Sequence, residues 1–309
     1  MKRVAVLGGA GFLGSHICDA YLNRGDEVVA VDNFSTGSKE NLQHLSSNKK
    51  FSLVVADICE PIMLRGKFDL VLNFASPASP KKYLAMPLET LRVGSLGTQN
   101  AVDLAKRDDA RLIMASTSEV YGDPTVSPQS ETYFGNVNPL GVRSCYDEAK
   151  RFSEALLMAH QRNSRLDVGI VRIFNTYGPR LDPDDGRVVS TMISQALGGQ
   201  DLTVHGDGSQ TRSFCYVDDL VRGVVAMGDS NEIGPINIGN NQEISVLELA
   251  KVVLKLANSK SKIVFTSSMD DDPQQRCPDL GLATIKLAWS PQVSLNDGLT
   301  RTIEWFSSR

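Results

Sequence analysis

A tyrosine and a lysine stand four residues apart, Tyr146 and Lys150, in the stretch RSCYDEAKR at 143–151. On a helix this spacing places both side chains on one face, one turn apart. An ammonium group close to a phenol favours the phenolate, and the ordinary pKa of tyrosine is about 10. We therefore expect Lys150 to lower the pKa of Tyr146, so that the phenolate can take a proton from an alcohol while a hydride leaves the same carbon. Ordinary amphipathic helices also carry this pattern, so its meaning depends on the elements around it.

A short apolar strand is predicted at residues 2–7, and a glycine-rich loop follows it directly. Gly8, Gly11 and Gly14 precede a helical pattern that stops near Gly25. Strand, glycine loop and helix in this order are typical of a dinucleotide site, in which the pyrophosphate lies at the helix N-terminus. Phe12 and Leu13, in the first turn of that helix, are included in the predicted cofactor site.

The next strand ends are predicted to surround the rest of the cofactor. Asp32 follows the second strand, where a carboxylate accepts hydrogen bonds from a ribose diol and repels a 2′-phosphate. We therefore expect NAD rather than NADP. The other residues placed around this cofactor are Asn33, Thr36 and Gly37 over the ribose, Asp57 and Ile58 beside the adenine, and Ala75 and Ser76 where the chain passes close to it.

A fifth strand, predicted at 111–116, leads into Thr117-Ser118-Glu119. In an open α/β sheet, ligands bind at the carboxyl ends of the strands, which makes this polar run a candidate site. Because the turn signal Gly-Asp-Pro follows, we expect that these residues are not needed as a helix cap. A further strand is predicted at 167–174. The alternation of strands and helices predicts a doubly wound, Rossmann-type parallel sheet.

The pattern changes after residue 178, where prolines and glycines become frequent and predicted strands shorten. We predict an NAD-binding domain at 1–178 and a smaller substrate-binding lobe at 179–309, some of whose elements return to the sheet. The acidic runs at 182–185 and 270–272 lack the spacing of a calcium loop and are interpreted as solvated loops. We predict no metal site.

Composition excludes several classes of protein. The 309 residues are 41% hydrophobic with a formal net charge of −4 and no dense basic run, which argues against a nucleic-acid partner. The five cysteines are scattered without a C-x-x-C pair, as in a reduced, cytoplasmic protein. No signal peptide and no membrane-spanning run is expected, and we expect Met1 to be the natural start.

Several motifs together resemble the extended short-chain dehydrogenase/reductase family, over nearly the whole chain. They are GGAGFLGSH at 8–16, ASTSEVYGDP at 115–124, CYDEAKR at 145–151, RIFNTYGPR at 172–180, GSQTRS at 208–213 and DDPQQR at 271–276. The glycine loop and Tyr-x-x-x-Lys are typical of the whole superfamily. The Thr-Ser-Glu run and Arg276 resemble, more specifically, members that decarboxylate a UDP-linked sugar acid.

The resemblance implies a reaction on UDP-glucuronate with recycled NAD. Tyr146 would act as the base when C4 of the sugar is oxidised, Lys150 would orient the cofactor ribose, and Thr117 would hydrogen-bond the C4 oxygen. The resulting ketone lies β to the C6 carboxylate, so carbon dioxide can leave with its electrons delocalised into an enolate. Protonation at C5 and return of the hydride would give UDP-xylose.

The resemblance also implies substrate contacts and an assembly. Glu119 and Arg276 would flank the departing carboxylate, where like-charge repulsion from Glu119 helps to expel it, and Ser118 would assist proton handling. The implied substrate-binding residues are Arg187 and Arg212 for the diphosphate, Asn175 for phosphate or sugar, Thr203 and His205 for the uracil, and Tyr83, Arg92, Gln210 and Arg276. A homodimer is implied through helices at 87–106 and 145–160. Gly94 stands where relatives have asparagine, and His205 replaces a common aromatic residue.

Other functions compete with this one. A 4,6-dehydratase would need a carboxylic acid at the position of Ser118, and a 4-epimerase does not explain Glu119 together with Arg276. A decarboxylase that releases the UDP-4-keto-pentose and NADH stays open. A catalytically silent NAD-binding protein also stays open, although the set Thr117, Tyr146 and Lys150 argues against it.

Overall fold

The computed structural model describes residues 1–267 and 275–309. Strands and helices alternate through the first part of the chain. In order they are β1 (Arg3–Leu7), α1 (Phe12–Asn23), β2 (Glu27–Asp32), β3 (Phe51–Val55), β4 (Leu70–Asn73), α2 (Pro80–Ala85), α3 (Pro87–Arg92), α4 (Thr98–Asp108), β5 (Arg111–Thr117), α5 (Ser144–Ser164) and β6 (Val168–Ile173). Two 3-10 segments lie at Lys39–Leu45 and Ser118–Tyr121, and a π-helical segment, Val93–Gly97, joins α3 to α4.

The later part of the chain has shorter strands. Its elements are β7 (Thr176–Tyr177), α6 (Val188–Leu197), β8 (Leu202–His205), β9 (Thr211–Ser213), β10 (Cys215–Tyr216), α7 (Val217–Asp229), β11 (Ile236–Ile238), β12 (Glu243–Ser245), α8 (Val246–Leu256), β13 (Ile263–Thr266), β14 (Gln275–Arg276), α9 (Gly281–Leu287) and α10 (Leu295–Ser307).

A parallel sheet forms the centre of the fold. Within residues 1–267 and 275–309 it has seven strands in the order β11-β6-β5-β4-β1-β2-β3. The strand order reverses between β1 and β4, which opens a crevice at their carboxyl ends. The predicted Rossmann-type sheet is therefore confirmed. Strand β11, far along the chain, pairs in parallel with β6, so one element beyond residue 178 does return to the sheet.

Helices cover both faces of the sheet. Along β1, Val4 and Val6 face one apolar cluster, and Ala5 and Leu7 face the other. Helices α1 and α7 pack on the first face, and α4 and α5 on the second. Burial on both faces explains why the central strands are apolar throughout their length rather than alternating. The first cluster continues into α6, α8 and α10, across the predicted domain boundary. That boundary stays a prediction.

The structure departs from the sequence prediction mainly at element ends. The helix predicted at 87–106 is divided into α3, the π segment and α4. The final helix begins at Leu295, where Ser294 caps it by accepting a hydrogen bond from the amide of Asp297. Helices α2 and α9 were not predicted. Helix α2 begins at Pro80, where a fixed φ favours a first helical position.

Gly94, in the π segment, allows a close approach to α5. A Cβ atom on Gly94 would lie 2.6 Å from the Cβ of Ala149 and 3.0 Å from its carbonyl oxygen. The carbonyl of Gly94 accepts a hydrogen bond from the Ser153 hydroxyl at 2.7 Å. The missing side chain therefore sets the distance between the π segment and the helix that carries Tyr146. An asparagine here would require the π segment and α5 to move apart.

The acidic run at 182–185 is held by local contacts. Asp182 pairs with Lys82 at 3.4 Å, and Asp185 pairs with Arg187 at 2.9 Å. Among the described residues, no group of three or more histidine, cysteine or acidic side chains could hold a metal ion. The run at 270–272 lies outside the described residues. No helix in the described part of the chain has the length and apolar character needed to span a bilayer.

Candidate active site

The glycine loop brings backbone close to the crevice between β1 and β4. Gly8 has a φ of +80°, and a Cβ atom on it would lie 2.6 Å from the amide nitrogen of Ala75. Gly14 packs against the carbonyl of Gly8. Among the described residues no side chain caps α1, which begins at Gly11 followed by Phe12 and Leu13. Uncapped amides at a helix N-terminus are suited to binding a pyrophosphate.

A cavity of about 310 Å³ opens beside this loop. Its lining includes most of the predicted cofactor residues, namely Gly8, Gly11, Asp32, Asn33, Thr36, Asp57, Ile58, Ala75 and Ser76. Gly37 lies behind the lining, where a Cβ atom would come within 2.9 Å of the carbonyl carbon of Ala10. The crevice therefore has the small residues and the polar rim that a dinucleotide requires.

Asp32 is nearly buried at the end of β2, and both of its oxygens are held by backbone amides. Oδ2 accepts from Ala10 at 2.9 Å and Oδ1 accepts from Phe34 at 2.8 Å. Burial raises the pKa of this carboxyl group, while the bonds from Phe34 and Ala10 oppose the rise. Each carboxylate oxygen keeps a second acceptor position for a ribose hydroxyl. The loop and Asp32 thus fit NAD.

Tyr146 and Lys150 lie together on α5, both buried. The Lys150 Nζ is 5.8 Å from the centre of the Tyr146 ring and donates to the carbonyl of Ala115 at 2.9 Å. Burial raises the pKa of Tyr146 to about 12, opposed by Arg187 and by a hydrogen bond with the Thr117 side chain. Burial also lowers the pKa of Lys150 to about 8.

The expectation that Lys150 lowers the pKa of Tyr146 is therefore wrong in this structure. Burial disfavours the phenolate more strongly than the neighbouring groups favour it, and the Lys150 ammonium is directed to a carbonyl of β5. A further positive charge beside the phenol is needed before it ionises near neutral pH.

Thr117, the last residue of β5, caps the 3-10 turn Ser118–Tyr121. Its hydroxyl oxygen accepts a hydrogen bond from the amide of Glu119 at 3.2 Å. The expectation that no cap is needed at this strand end is wrong, because the chain turns at once into a short helix. The cap leaves the hydroxyl proton of Thr117 available for donation, so capping and substrate binding are compatible.

Glu119 is held between two guanidinium groups. Its Oε2 is 2.6 Å from Arg143, and its Oε1 is 2.5 Å from Arg276. Arg276 also donates to the hydroxyl of Ser118 at 3.1 Å and to the carbonyl of Gly122 at 2.9 Å. Burial raises the pKa of Glu119, but Arg276 and Arg143 outweigh it, so the pKa is lowered and the carboxylate stays charged. Its repulsion of a substrate carboxylate is correspondingly smaller than expected.

Sequence reasoning missed two residues here, Arg143 and Asp147. They lie at the start of α5 at i and i+4, a spacing that brings their side chains to one face. Arg143 is directed to Glu119, and Oδ1 of the buried Asp147 has no hydrogen-bond partner among the described residues. Arg143 is three residues before Tyr146, and Asp147 follows it directly. This closeness to Tyr146 was the signal that could have identified them as site residues.

Tyr83, predicted to bind substrate, stacks on Tyr146. Its ring centre is 5.0 Å from that of Tyr146, with an angle of 5° between the rings. Its buried hydroxyl has no partner within the described residues, and burial raises its pKa. The stack fixes the plane of the Tyr146 ring.

Two predicted diphosphate residues from the later part of the chain approach the same cluster. Arg212 on β9 stands beside Arg276 in register and helps to lower the pKa of Glu119. Arg187 donates to the carbonyl of Ala78 at 3.0 Å and lowers the pKa of Tyr146. Asn175 follows β6, next to β5 in the sheet. The structure thus places these residues near the carboxyl end of β5, where Tyr146 of α5 also lies.

The remaining predicted substrate residues lie elsewhere. Arg92 lines the cofactor cavity rather than the cluster around Glu119. Thr203 bonds to Gln195, His205 bonds to Thr266, and Gln210 donates to the carbonyl of His205. These last three residues form a separate group around β8, and their roles toward the uracil stay predictions.

Comparison with known proteins gives the class to which this fold and site belong. The model of the NAD dependent epimerase/dehydratase family matches residues 4–239, and the chain belongs to this family. It is 50% identical over 307 residues to UDP-glucuronic acid decarboxylase 1 of Arabidopsis thaliana, covering 99% of this chain and 70% of that protein.

Solved structures show the same fold. UDP-glucose 4-epimerase from Thermotoga maritima, with UDP-glucose, superposes with a TM-score of 0.91 at 28% identity, covering 99% of each chain. UDP-glucuronic acid 4-epimerase from Bacillus cereus, in complex with UDP-glucuronic acid and NAD, has a TM-score of 0.84 at 30% identity, again over 99% of each chain.

Replacing Asp32 tests its assignment to the cofactor ribose. We expect Asp32→Asn to weaken NAD binding about tenfold or more, because a hydrogen bond to a charged acceptor contributes about 1.5–3 kcal/mol. Discrimination against NADP should fall with it, since the repelling charge is gone. Calorimetric dissociation constants for both cofactors measure this. Asp103→Asn, which changes an exposed acid on α4 outside this cavity, is the control. An unchanged NAD-to-NADP ratio in Asp32→Asn would contradict the assignment.

Proposed function

We propose that the protein is a UDP-glucuronate decarboxylase that forms UDP-xylose and carbon dioxide and regenerates its NAD. Identity of 47–50% to UDP-glucuronic acid decarboxylases over almost the whole chain supports this function. The structural observation that carries it is the position of Glu119, which lies between two arginines at the strand end beside Tyr146. A base and an anion-binding group are thus adjacent, as a sugar with its alcohol at C4 and its carboxylate at C6 requires.

The charges around Glu119 suit an acidic sugar. Two guanidinium groups contact one carboxylate, so the entry of the substrate carboxylate balances the cluster. Arg276 binds from the interior, where its contacts with Ser118 and Gly122 fix its orientation. Loss of carbon dioxide then removes a carboxylate from beside Glu119, which relieves the remaining repulsion.

The chain's own groups perform the proton transfers at C4. NAD, when bound, supplies a hydride acceptor and donor for C4 and a positive charge next to the phenol. Tyr146 takes the hydroxyl proton from the C4 oxygen and later returns it, while Thr117 hydrogen-bonds the same oxygen. Lys150 uses one N–H on Ala115 and keeps two for the cofactor ribose. The C4 ketone lies β to the carboxylate, and this relation is what makes the C5–C6 bond cleavable.

The local structure disfavours a 4,6-dehydratase. That reaction needs an acid directly after Thr117, and the residue there is Ser118, whose hydroxyl accepts a hydrogen bond from Arg276. Glu119 cannot replace it as an acid, because its two arginines hold it in the charged form.

The direct test is incubation of purified protein with UDP-glucuronate and no added reductant. We expect carbon dioxide and UDP-xylose, followed by ¹H NMR, and a loss of about 10²–10⁴-fold in kcat for Tyr146→Phe, because general base catalysis typically contributes this much. NAD affinity should be retained in that variant. Absence of carbon dioxide from the wild type would refute the function. UDP-galacturonate would indicate an epimerase, and accumulation of the UDP-4-keto-pentose with NADH would indicate the incomplete reaction.

Arg276 should determine preference for the acidic sugar. Because truncating one partner of a buried charge pair costs about 2–5 kcal/mol, Arg276→Ala should lower kcat/KM for UDP-glucuronate roughly 30-fold or more. Binding of UDP-glucose, which lacks the carboxylate, should change less than threefold by calorimetry. Arg301→Ala, a change at an exposed arginine, is the control. Equal losses for the two sugars would show that Arg276 has only a structural role.

We also propose that the protein is a homodimer formed through α3, the π segment and α5. Several apolar side chains on these segments are exposed. Leu88 on α3 is 70% accessible and Phe152 on α5 is 50% accessible. Leu91 on α3 and Leu96 in the π segment are exposed as well. Four helices, two from each copy, would bury them.

A charged double variant tests this surface. Leu88→Glu with Phe152→Glu should give a monomer by light scattering, because each charge would be buried in the interface. Ile285→Glu changes an equally exposed apolar residue on α9 and should leave the mass unchanged. A wild-type protein that is monomeric at micromolar concentration would rule out the proposed dimer.

We place the protein in the cytoplasm. All five cysteines are free thiols, and four of them are buried without forming a disulfide, as is usual in a reducing compartment. Fractionation of the host cells with an antibody to the protein tests this location, and recovery in an oxidising compartment would contradict it.

A further inference from the structure

The proposed reaction consumes a proton that Tyr146 cannot supply. Tyr146 takes a proton from the C4 oxygen and must return that same proton when C4 is reduced again. Loss of carbon dioxide breaks the C5–C6 bond and leaves its electron pair in the enolate, so formation of the C5–H bond needs a second proton. One proton is taken up for each carbon dioxide released. A buried site therefore needs a separate acid near C5.

Most groups of the cluster cannot be that acid. Glu119 is held as a carboxylate by Arg143 and Arg276. The two guanidinium groups do not deprotonate in proteins. Ser118 has a hydroxyl proton to pass on, but it must regain one from a neighbouring acid, since a hydroxyl group is itself a very weak acid.

Asp147 is a buried carboxyl group beside this cluster. It is 6% exposed in the first turn of α5, directly after Tyr146, and its Oδ1 has no hydrogen-bond partner within the described part of the chain. An unpartnered buried carboxylate is costly, whereas a neutral carboxyl group is tolerated. Its arginine neighbour at i−4, Arg143, is bound to Glu119 instead.

The groups that face Asp147 come from several elements. They are Glu119 on the 3-10 turn, Arg143 at the start of α5, Arg276 on β14, Glu148 on α5 itself and Tyr83 on α2. The pKa of Asp147 is raised to about 7, mainly by burial and also by Glu119 and Glu148, while Arg143 and Arg276 oppose the rise. The carboxyl group thus holds a proton up to neutral pH.

We propose that Asp147 stores the proton that is delivered to C5 after decarboxylation. This inference rests on the proposed function. The proton leaves the carboxyl group of Asp147, reaches C5 through the Ser118 hydroxyl or a water molecule that enters the site with the substrate, and forms the C5–H bond with the electron pair of the enolate. Solvent then reprotonates the Asp147 carboxylate. Asp147 therefore acts on C5 through these intermediate groups and does not donate to the carbon directly.

The charge change in the reaction assists this transfer. Before decarboxylation, the substrate carboxylate and Glu119 both disfavour a negative charge on Asp147. Departure of carbon dioxide removes one of these negative charges from the cluster, while Arg143 and Arg276 remain. The acid therefore becomes stronger at the stage at which the enolate needs a proton.

The experiment compares Asp147→Asn with Asp147→Glu and with the control Glu148→Gln, which removes an exposed acid at the next position. With UDP-glucuronate, wild-type kcat should fall above about pH 7, because the proton donor is active only below its pKa. Asp147→Asn should lower kcat at least tenfold and lose this decline. It should also accumulate reduced cofactor, seen by absorbance at 340 nm, because C4 oxidation remains possible while C5 protonation is slow. Asp147→Glu should restore part of the rate. Glu148→Gln should keep the wild-type kcat at low pH, with the decline moved slightly to lower pH because Glu148 helps to raise the pKa of Asp147.

Two outcomes would overturn the inference. The first is an Asp147→Asn variant with the wild-type kcat and pH profile. The second is a variant that loses C4 oxidation together with turnover and is not rescued by glutamate, which would show a structural role. Thermal unfolding and NAD titration of each variant establish that it is folded. Failure of the wild type to release carbon dioxide would refute the proposed function instead, so the two failures are distinguishable.

Discussion

The site depends on one partly buried carboxylate and the two guanidinium groups that hold it. Glu119 bonds to Arg143 at the start of α5 and to Arg276 on β14, so a single side chain joins the end of β5, the helix that carries Tyr146, and a strand from the later part of the chain. A buried charge without these partners would cost several kcal/mol. The packing of the three elements and the charge state of the site are therefore set by the same contacts.

The later part of the chain contributes several groups to this arrangement. Strand β14 pairs with β9, which places Arg276 beside Arg212, and α6 begins at Arg187. All three arginines approach the carboxyl edge of the sheet, to which the Rossmann half contributes the Tyr146–Lys150 pair. The apolar cluster contains residues from both halves of the chain and fixes the position of these arginines relative to the sheet.

Burial decides most protonation states around the base, since it disfavours whichever form is charged. It raises the pKa of Tyr146 and of Asp147 and lowers that of Lys150. Glu119 is the exception, because two arginines compensate its charge. A cluster that keeps one carboxyl group ionised and another protonated can bind an anionic sugar and also supply a proton to it.

Local patterns in the sequence determined the Rossmann-type sheet, the glycine loop with Asp32, and the Tyr146–Lys150 pair. Strand and helix periodicity and four-residue spacing act between near neighbours, so they can be read without the fold. Only the tertiary structure decided that Lys150 is directed to Ala115, that Thr117 caps a turn, that Tyr83 stacks on Tyr146, and that Arg143 and Asp147 belong to the site. These contacts join residues that are mostly distant along the chain, and the pKa values follow from burial, which depends on how all the elements pack together.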